Sequence, residues 1–487
     1  MLDTRRYLRN IIDSTHFIKP SQAFVNFFIS LFIAVFIAFI PEYDLSKQGV
    51  YALFILVFAA GLWITEAIPA FSVALLIIAL QILLLGFEGF NFKEGGDWTI
   101  YLNQWSNPLV FLFLAGFIMA IAASKTKLDI WIAKKVLFFV GGKPHNIISG
   151  LIAITFVLSM FVSNTATAAM MMTVISPILM TIKEDNPFSK AALLAVVIGA
   201  NLGGMCTIIG TPPNAIAVGF LGEDAPSFIG WMVLASPAAI ITAIALRQLI
   251  LKLYPSSQGY ISLKRLNELE DDTTKKPATK NSVAVADWKK KVVLITFSVT
   301  IGLWLSEPLH HIPTTVVAFL PIVVFTLFNI IGPDDMKEVR WDVIILIIGG
   351  LSLGFSVTQT GVDSQIASMM PTQGISIILI MAIFSYMVVV VSNFMSNTAA
   401  TNIILPIAVA IGATYSAADG YMTAIVVALS ASFAMMLPVS TPPNAIVYSS
   451  KALASKNFLI LGAAAAIVGP LAVFGWLYIV FSFGFLI

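Results

Sequence analysis

Ser163-Asn164-Thr165 and Ser396-Asn397-Thr398 carry one order of residues at an offset of 233. Each opens into a run of small and apolar residues, ATAAMMM in the first case and AATNIIL in the second. Thr211-Pro212-Pro213-Asn214 and Thr441-Pro442-Pro443-Asn444 repeat in the same way, at an offset of 230. All four lie in strongly apolar sequence, where an unpartnered polar group costs most. Ser, Asn and Thr are N-cap residues and Pro is favoured at the first helical position. Each motif therefore predicts a helix that starts inside an apolar segment. The Pro-Pro pair also stops a helix arriving from the N-terminal side, because two backbone donors are missing and the rings clash with the preceding turn. The predicted breaks fall near Gly210-Thr211 and near Ser440-Thr441. Four helix N-termini then offer free N–H groups and about half a positive charge each. Such termini bind carboxylate, phosphate or sulfate. Ser hydroxyls, Asn side-chain oxygens and exposed carbonyls at the breaks suit a hard cation of low charge, such as sodium.

These motifs need elements to hold them. The chain has 487 residues, of which 59% are hydrophobic and 11% charged, with a mean hydropathy of +0.94. Apolar runs of about 20 residues, enough to span a bilayer as a helix, recur throughout. Weakly alternating segments of about 10 residues, the mark of an outer-membrane barrel, are missing from the sequence. The predicted class is an all-α polytopic membrane protein. Spans are expected at 22–41, 49–68, 70–87, 108–124, 189–220, 230–253, 292–306, 313–331, 342–360, 419–450 and 457–485. Segments 147–182 and 374–412 are too long for one span and carry Ser-Asn-Thr in the middle. Each reads as a re-entrant helical hairpin, which makes about 11 transmembrane helices and two hairpins.

Charge placement supports that topology. With the N-terminus inside, only Lys47 and Lys93 of the 27 Lys and Arg fall on the outer side, as the positive-inside rule asks. Residues 1–19 are polar and basic, and no cleavable signal peptide is evident. The 125–146 stretch is basic and amphipathic and reads as an interfacial helix. Segment 254–291 is the one long polar stretch and reads as a cytoplasmic linker.

Two halves flank that linker. Gly61-Leu62-Trp63-Ile64-Thr65-Glu66 recurs as Gly302-Leu303-Trp304-Leu305-Ser306-Glu307, at an offset of 241. Of the 11 expected spans five in each half repeat, together with one hairpin; that is an odd count of crossings, so the halves are expected to be inverted. Inverted repeats with breaks at matching positions point to a secondary transporter with its site at the repeat interface. Glu66 and Glu307 are expected to close matching helices in structural roles at the membrane interface. No Lys or Arg stands in the central part of a span, so dipoles, hydroxyls and amides must hold an anion. The four His lie in loops or at interfaces, away from any proton relay. Cys206 is the single cysteine, which excludes a disulfide framework and a Cys-cluster metal site. No nucleophile–base pair stands within the spans, so an intramembrane enzyme is excluded, and no nucleic-acid partner is implied. Breaks closed by two hairpins favour an occluded site over a channel.

The paired Ser-Asn-Thr and paired Thr-Pro-Pro-Asn motifs resemble those of the divalent anion/sodium symporter family, and the likeness covers nearly the whole chain from the first span onward. The family moves succinate, malate, fumarate, 2-oxoglutarate or citrate, by sodium symport or by sodium-independent exchange. The likeness implies sodium-coupled C4-dicarboxylate transport by an elevator mechanism, with exchange as the alternative. No cofactor beyond the coupling sodium ions is implied. It implies a homodimer in the plasma membrane with its N-terminus in the cytoplasm. A tail at 1–21 and a linker at 254–291 would flank a scaffold domain (22–145 and 292–372) and a transport domain (146–253 and 373–487). Substrate carboxylates would meet Ser163, Asn164 and Thr165 on one side and Ser396, Asn397 and Thr398 on the other. Thr211, Thr441 and Pro442 would line the rest. One sodium site would use Ser159, Ser163, Asn164 and Gly210, and a second Ser392, Met395, Asn397 and Ser440. Met395 and Ser440 depart from the small residue and the Ala expected there, so these two would contribute backbone oxygens.

Overall fold

A computed structural model describes residues 20–87, 97–180, 182, 186–263, 287–370 and 374–483. The expected tail up to residue 19 and the 264–286 part of the expected linker lie outside the described residues. Among the described residues the structure is helical, with no strand. Seven segments are helical, long and apolar enough to cross a membrane, and seven shorter apolar helices accompany them. The protein is a multi-pass membrane protein.

The chain forms two compact units. The first comprises residues 1–106, 342–380 and 398–424. Its helices are α1 (Pro20–Phe39), α2 (Lys47–Thr65) and α3 (Ala70–Gln81), which runs on as a π-helical turn, Ile82–Gly86. A 3-10 segment follows at Trp98–Ser106. Helix α1 packs on α2 and α2 on α3. A buried polar knot ties α3 to the later helix that spans Trp341–Gln359. Gln81 Nε2 donates to Ser352 O and Ser356 Oγ at 2.8 Å each, and Ser352 Oγ donates to Gln81 Oε1 at 2.6 Å. These groups satisfy one another in the unit's interior, as buried polar atoms must.

The second unit comprises residues 107–341, 381–397 and 425–487. It opens with α4 (Pro108–Thr126) and α5 (Leu128–Val140). The amphipathic segment is thus helical, and Trp131 and Phe139 stand exposed on it. Next come α6 (Pro144–Ser159), α7 (Asn164–Leu179), α8 (Pro187–Gly204), α9 (Pro212–Leu221) and α10 (Phe228–Leu253). Beyond the linker lie α11 (Asp287–Leu305), α12 (Glu307–His310) and α13 (Thr314–Leu327). The first unit resumes with α14 (Trp341–Gln359) and α15 (Val362–Met369). The chain ends with α16 (Ile377–Ser392), α17 (Asn397–Ala413), α18 (Ala417–Ala431), α19 (Pro442–Tyr448) and α20 (Ser455–Ser482). Residues 107–145 and 292–341 cluster with 146–253, and the second hairpin divides after Asn397.

Both hairpins form. Residues 160–163 join α6 to α7, and 393–396 join α16 to α17. Helices α6 and α8 are closely packed, and glycines allow it. A Cβ on Gly199 would meet Thr155 and the Ile152 carbonyl, and a Cβ on Gly203 would fall inside the Phe156 backbone. The Gly-x-x-x-Gly spacing is the small-residue rule for close helix approach in membranes.

Two expectations need correction. The breaks begin earlier than the Pro-Pro pairs suggested: α8 stops at Gly204 and α18 at Ala431. Each break is therefore a stretch of non-α-helical chain, 205–211 and 432–441, and not a single point. Glu66 and Glu307 are also not equivalent. Glu66 is the left-handed C-cap of α2 (φ 49°), whereas Glu307 opens the short α12. The shared feature is the tryptophan. Trp63 Nε1 donates to Ala70 O at 3.4 Å and Trp304 Nε1 to Thr314 O at 3.0 Å, each across the turn that follows.

Gly203→Ala should cost about 1–3 kcal/mol, the usual range for overpacking. It should lower the melting temperature of the purified protein in detergent. Gly302→Ala, whose added Cβ would meet nothing within 4 Å, should leave it unchanged.

Candidate functional site

The site grows from the two breaks. Each must bury the carbonyls freed when its helix stops. Asn214 Nδ2 lies 3.2, 3.1 and 2.7 Å from the carbonyls of Gly204, Met205 and Thr207. Trp231 Nε1 adds a 3.1 Å bond to Met205 O. In the second break Asn444 Nδ2 donates to Met435 O at 3.0 Å and Leu437 O at 2.8 Å. Both asparagines are fully buried. The Asn of each Thr-Pro-Pro-Asn motif is thus a clamp on the break before it. Asn201 Nδ2 also approaches Asn444 Oδ1 at 3.3 Å, a direct link between the two sequence halves.

The Thr residues differ. Thr441 Oγ1 accepts from Asn444 N at 3.3 Å and donates to Asn444 Oδ1 at 2.9 Å, as expected of an N-cap. Thr211 is extended (φ −149°), and its side chain makes no cap bond, contrary to expectation. Both are buried, whereas Pro442 is exposed. Helix α19 packs against α7 and α8, so the Pro442 half-helix meets the arm that starts at Asn164.

The hairpin tips are bound to the breaks. Thr207 Oγ1 donates to the Met160 carbonyl. Ser440 Oγ lies 3.1 Å from Asn393 O and 3.0 Å from Asn393 Oδ1, and it accepts from Leu437 N at 3.0 Å. Met160 and Asn393 are equivalent under the 233 offset, so each half makes the same kind of contact. Asn393 also accepts from Met436 N at 2.8 Å. Sequence reasoning passed over Asn393, although a second Ser-Asn pair, Ser392-Asn393, stands two residues before the motif.

Among the residues expected at the first cation site, Ser159, Asn164 and Gly210 are brought together. Ser159 Oγ stands 2.8 Å from Asn164 Oδ1 and 2.7 Å from Ala200 O. A hydroxyl has one proton for these two acceptors. Asn164 packs over Gly204, and the Gly204 carbonyl packs against Gly210; a Cβ on either glycine would clash. Ser163 caps α7, accepting from Ala166 N at 3.3 Å. Ser163, Asn164 and Thr165 are half-buried. At the second site Ser440 repeats the surplus of acceptors over protons. Ser392 Oγ is fully buried and has no hydrogen-bond partner among the described residues. Met395 is buried, Ser396 exposed and Asn397 half-buried. Thr398 is buried and opens the stretch 398–424 of the first unit.

Residues 60–429 match the family model described as a citrate transporter. The sodium-dependent dicarboxylate transporter SdcS of Staphylococcus saprophyticus is 31% identical over 462 residues, covering 86% of this chain and 83% of that protein. The protein of the same name from Staphylococcus aureus is 31% identical over 467 residues, covering 87% and 84%. The chain belongs to the divalent anion/sodium symporter family. This symporter-family chain is therefore a transporter and not an enzyme. Two solved transporters share its fold at 11% identity: MtrF of Neisseria gonorrhoeae (TM-score 0.53, 84% of this chain and 94% of that one) and YdaH of Alcanivorax borkumensis (TM-score 0.55, 91% and 99%).

Asn214→Ala should leave buried carbonyls unpaired, at about 1–3 kcal/mol for each group. It should lower thermal stability as well as abolish transport, read by a detergent melt beside proteoliposome uptake.

Proposed function

We propose that the protein is a secondary active transporter of C4-dicarboxylates such as succinate, malate and fumarate, with 2-oxoglutarate or citrate within its substrate class, coupled to sodium symport. The observation that carries this reading is a surplus of oxygen acceptors in each half, at Ser159–Asn164–Ala200 in the first and at Ser440–Asn393 in the second. A hard monovalent cation converts such a surplus from repulsion to coordination. Sodium bound there would in turn neutralise an incoming dicarboxylate that meets no Lys or Arg. The names of the two staphylococcal relatives favour the same substrate and ion.

Substrate carboxylates would be held by the Asn164 and Asn397 amides, the Ser163, Thr165, Ser396 and Thr398 hydroxyls, and the helix termini behind them, with Thr211, Thr441 and Pro442 lining the remainder. Sodium would use Ser159, Ser163, Asn164 and the Gly210 backbone at one site, and Ser392, Asn397, Ser440 and the Met395 backbone at the other. The bonds that join each hairpin tip to its break favour motion of these parts as one body, which suits an elevator. The homodimer, the scaffold and transport segments, and the plasma-membrane setting with a cytoplasmic N-terminus belong to the same proposal. The Lys and Arg distribution supports the orientation.

Proteoliposomes test it. Succinate uptake should rise steeply with external sodium and collapse when choline replaces it. Uptake indifferent to sodium but dependent on internal dicarboxylate would establish exchange instead. Asn164→Ala and Asn397→Ala should each reduce uptake at least about a hundredfold, since each removes an anion donor and a cation ligand. Neither should shift the melting temperature as Asn214→Ala does.

A further inference from the structure

A cavity of about 340 Å³ opens beside the first hairpin, between α4, α5, α6 and α7. Val162 and Ala166 line it on either side of Ser163-Asn164-Thr165, so it reaches the tip that carries the proposed site. At about 30 Å³ per water it has room for roughly ten waters. Its polar lining is Ser124, Asp129, Thr167 and Thr173. Asp129 is the only charged residue among them.

Two observations show what that lining lacks. No basic side chain among the described residues pairs with Asp129; its carboxylate accepts from the backbone N–H of Ile130, at 2.8 Å, and from its own backbone N–H. The neighbouring Lys125 is engaged elsewhere, bonded to both oxygens of Asp335 at 2.8 and 2.7 Å. Burial holds the Asp129 carboxyl above its ordinary range, with the backbone bonds from Ile130 and from Asp129 itself acting in the opposite direction. Independently, Thr167 is 1% exposed and its Oγ1 has no hydrogen-bond partner among the described residues. It lies one turn after Asn164 and lines the same cavity as Asp129. A carboxylate without a counter-charge and an idle buried hydroxyl define a place for a cation. The same carboxylate repels a dicarboxylate, so the cavity is a poor anion site.

We propose that Asp129, with the hydroxyls of Ser124, Thr167 and Thr173, forms a third sodium-binding position, a capture site at the mouth of the hairpin separate from the two coupling sites. It rests on the sodium-coupled reading above. The ion is held with part of its water shell, as the size of the cavity and its few ligands require. The site raises local sodium concentration beside Ser159 and Asn164 and so lowers the sodium level that transport needs.

The test uses the full chain in proteoliposomes and in detergent, with sodium chloride as the probe and choline chloride as the control. Asp129→Asn should raise the half-saturating sodium concentration for succinate uptake about tenfold, the scale set by loss of one ligand-supporting group. Half-saturating succinate at saturating sodium should stay within about twofold, and Asp129→Glu should restore most of the sodium response. Sodium-induced thermal stabilisation without substrate should shift in parallel. Unchanged sodium dependence in Asp129→Asn would overturn the proposal. So would a change in the succinate response alone, which marks simple repulsion of the anion. If Asp129→Asn fails to assemble, Thr167→Val carries the test, with about a threefold rise expected and no change overturning the site. A wild-type protein with no sodium response sinks the symport reading itself. A sodium-driven wild type with an indifferent Asp129 variant sinks only this site.

Discussion

Stopping a helix inside apolar surroundings strands backbone carbonyls that water cannot reach, and the rest of this structure depends on how they are satisfied. Each stranded group would cost several kcal/mol if left unpaired in a membrane. The chain meets this twice with one device: a buried asparagine placed just after a Pro-Pro pair and turned back onto the break that precedes it. Asn214 reaches Gly204, Met205 and Thr207; Asn444 reaches Met435 and Leu437. Once the breaks are held open, their remaining polar groups are free to grip the hairpin tips. The threonine, serine and asparagine contacts to Met160 and Asn393 follow from that.

The two halves solve the same problem with unequal residues. Gly210 in the first break corresponds to Ser440 in the second, and Met160 to Asn393. The first half presents backbone and a close-packed glycine against Asn164, while the second presents a hydroxyl and an amide. The two breaks therefore present different donors to their hairpin tips, a backbone-lined glycine surface in one half and a hydroxyl with an amide in the other.

Much was legible in the sequence because the motifs violate the local apolar pattern. Ser-Asn-Thr and Thr-Pro-Pro-Asn cannot sit in lipid, and Pro-Pro cannot continue a helix. Where helices restart, at Asn164, Pro212, Asn397 and Pro442, follows directly from capping chemistry. Where the preceding helices end does not. Gly203-Gly204 is a local stop signal that the Pro-Pro pair masked, and Ala431 carries none; both ends are held by side chains further along the chain that take up the carbonyls there. The same holds for Asn393, whose role exists only because the second break folds back onto it. Thr211 shows the converse: a residue well suited to capping whose side chain makes no cap bond in the folded chain.

By itself the sequence determined a polytopic helical transporter, its internal repeat, its two hairpins and the polar motifs that interrupt the apolar pattern. Composition, charge placement and proline chemistry are local properties that need no fold to be read. Only the tertiary structure decided which asparagines clamp backbone, because that depends on which carbonyls lie within about 3 Å of an amide. It also decided that Asp129, an unremarked residue at the start of an amphipathic helix, lines a cavity with no basic partner among the described residues. Burial and the absence of a counter-charge arise from packing between helices, and no spacing along the chain records them.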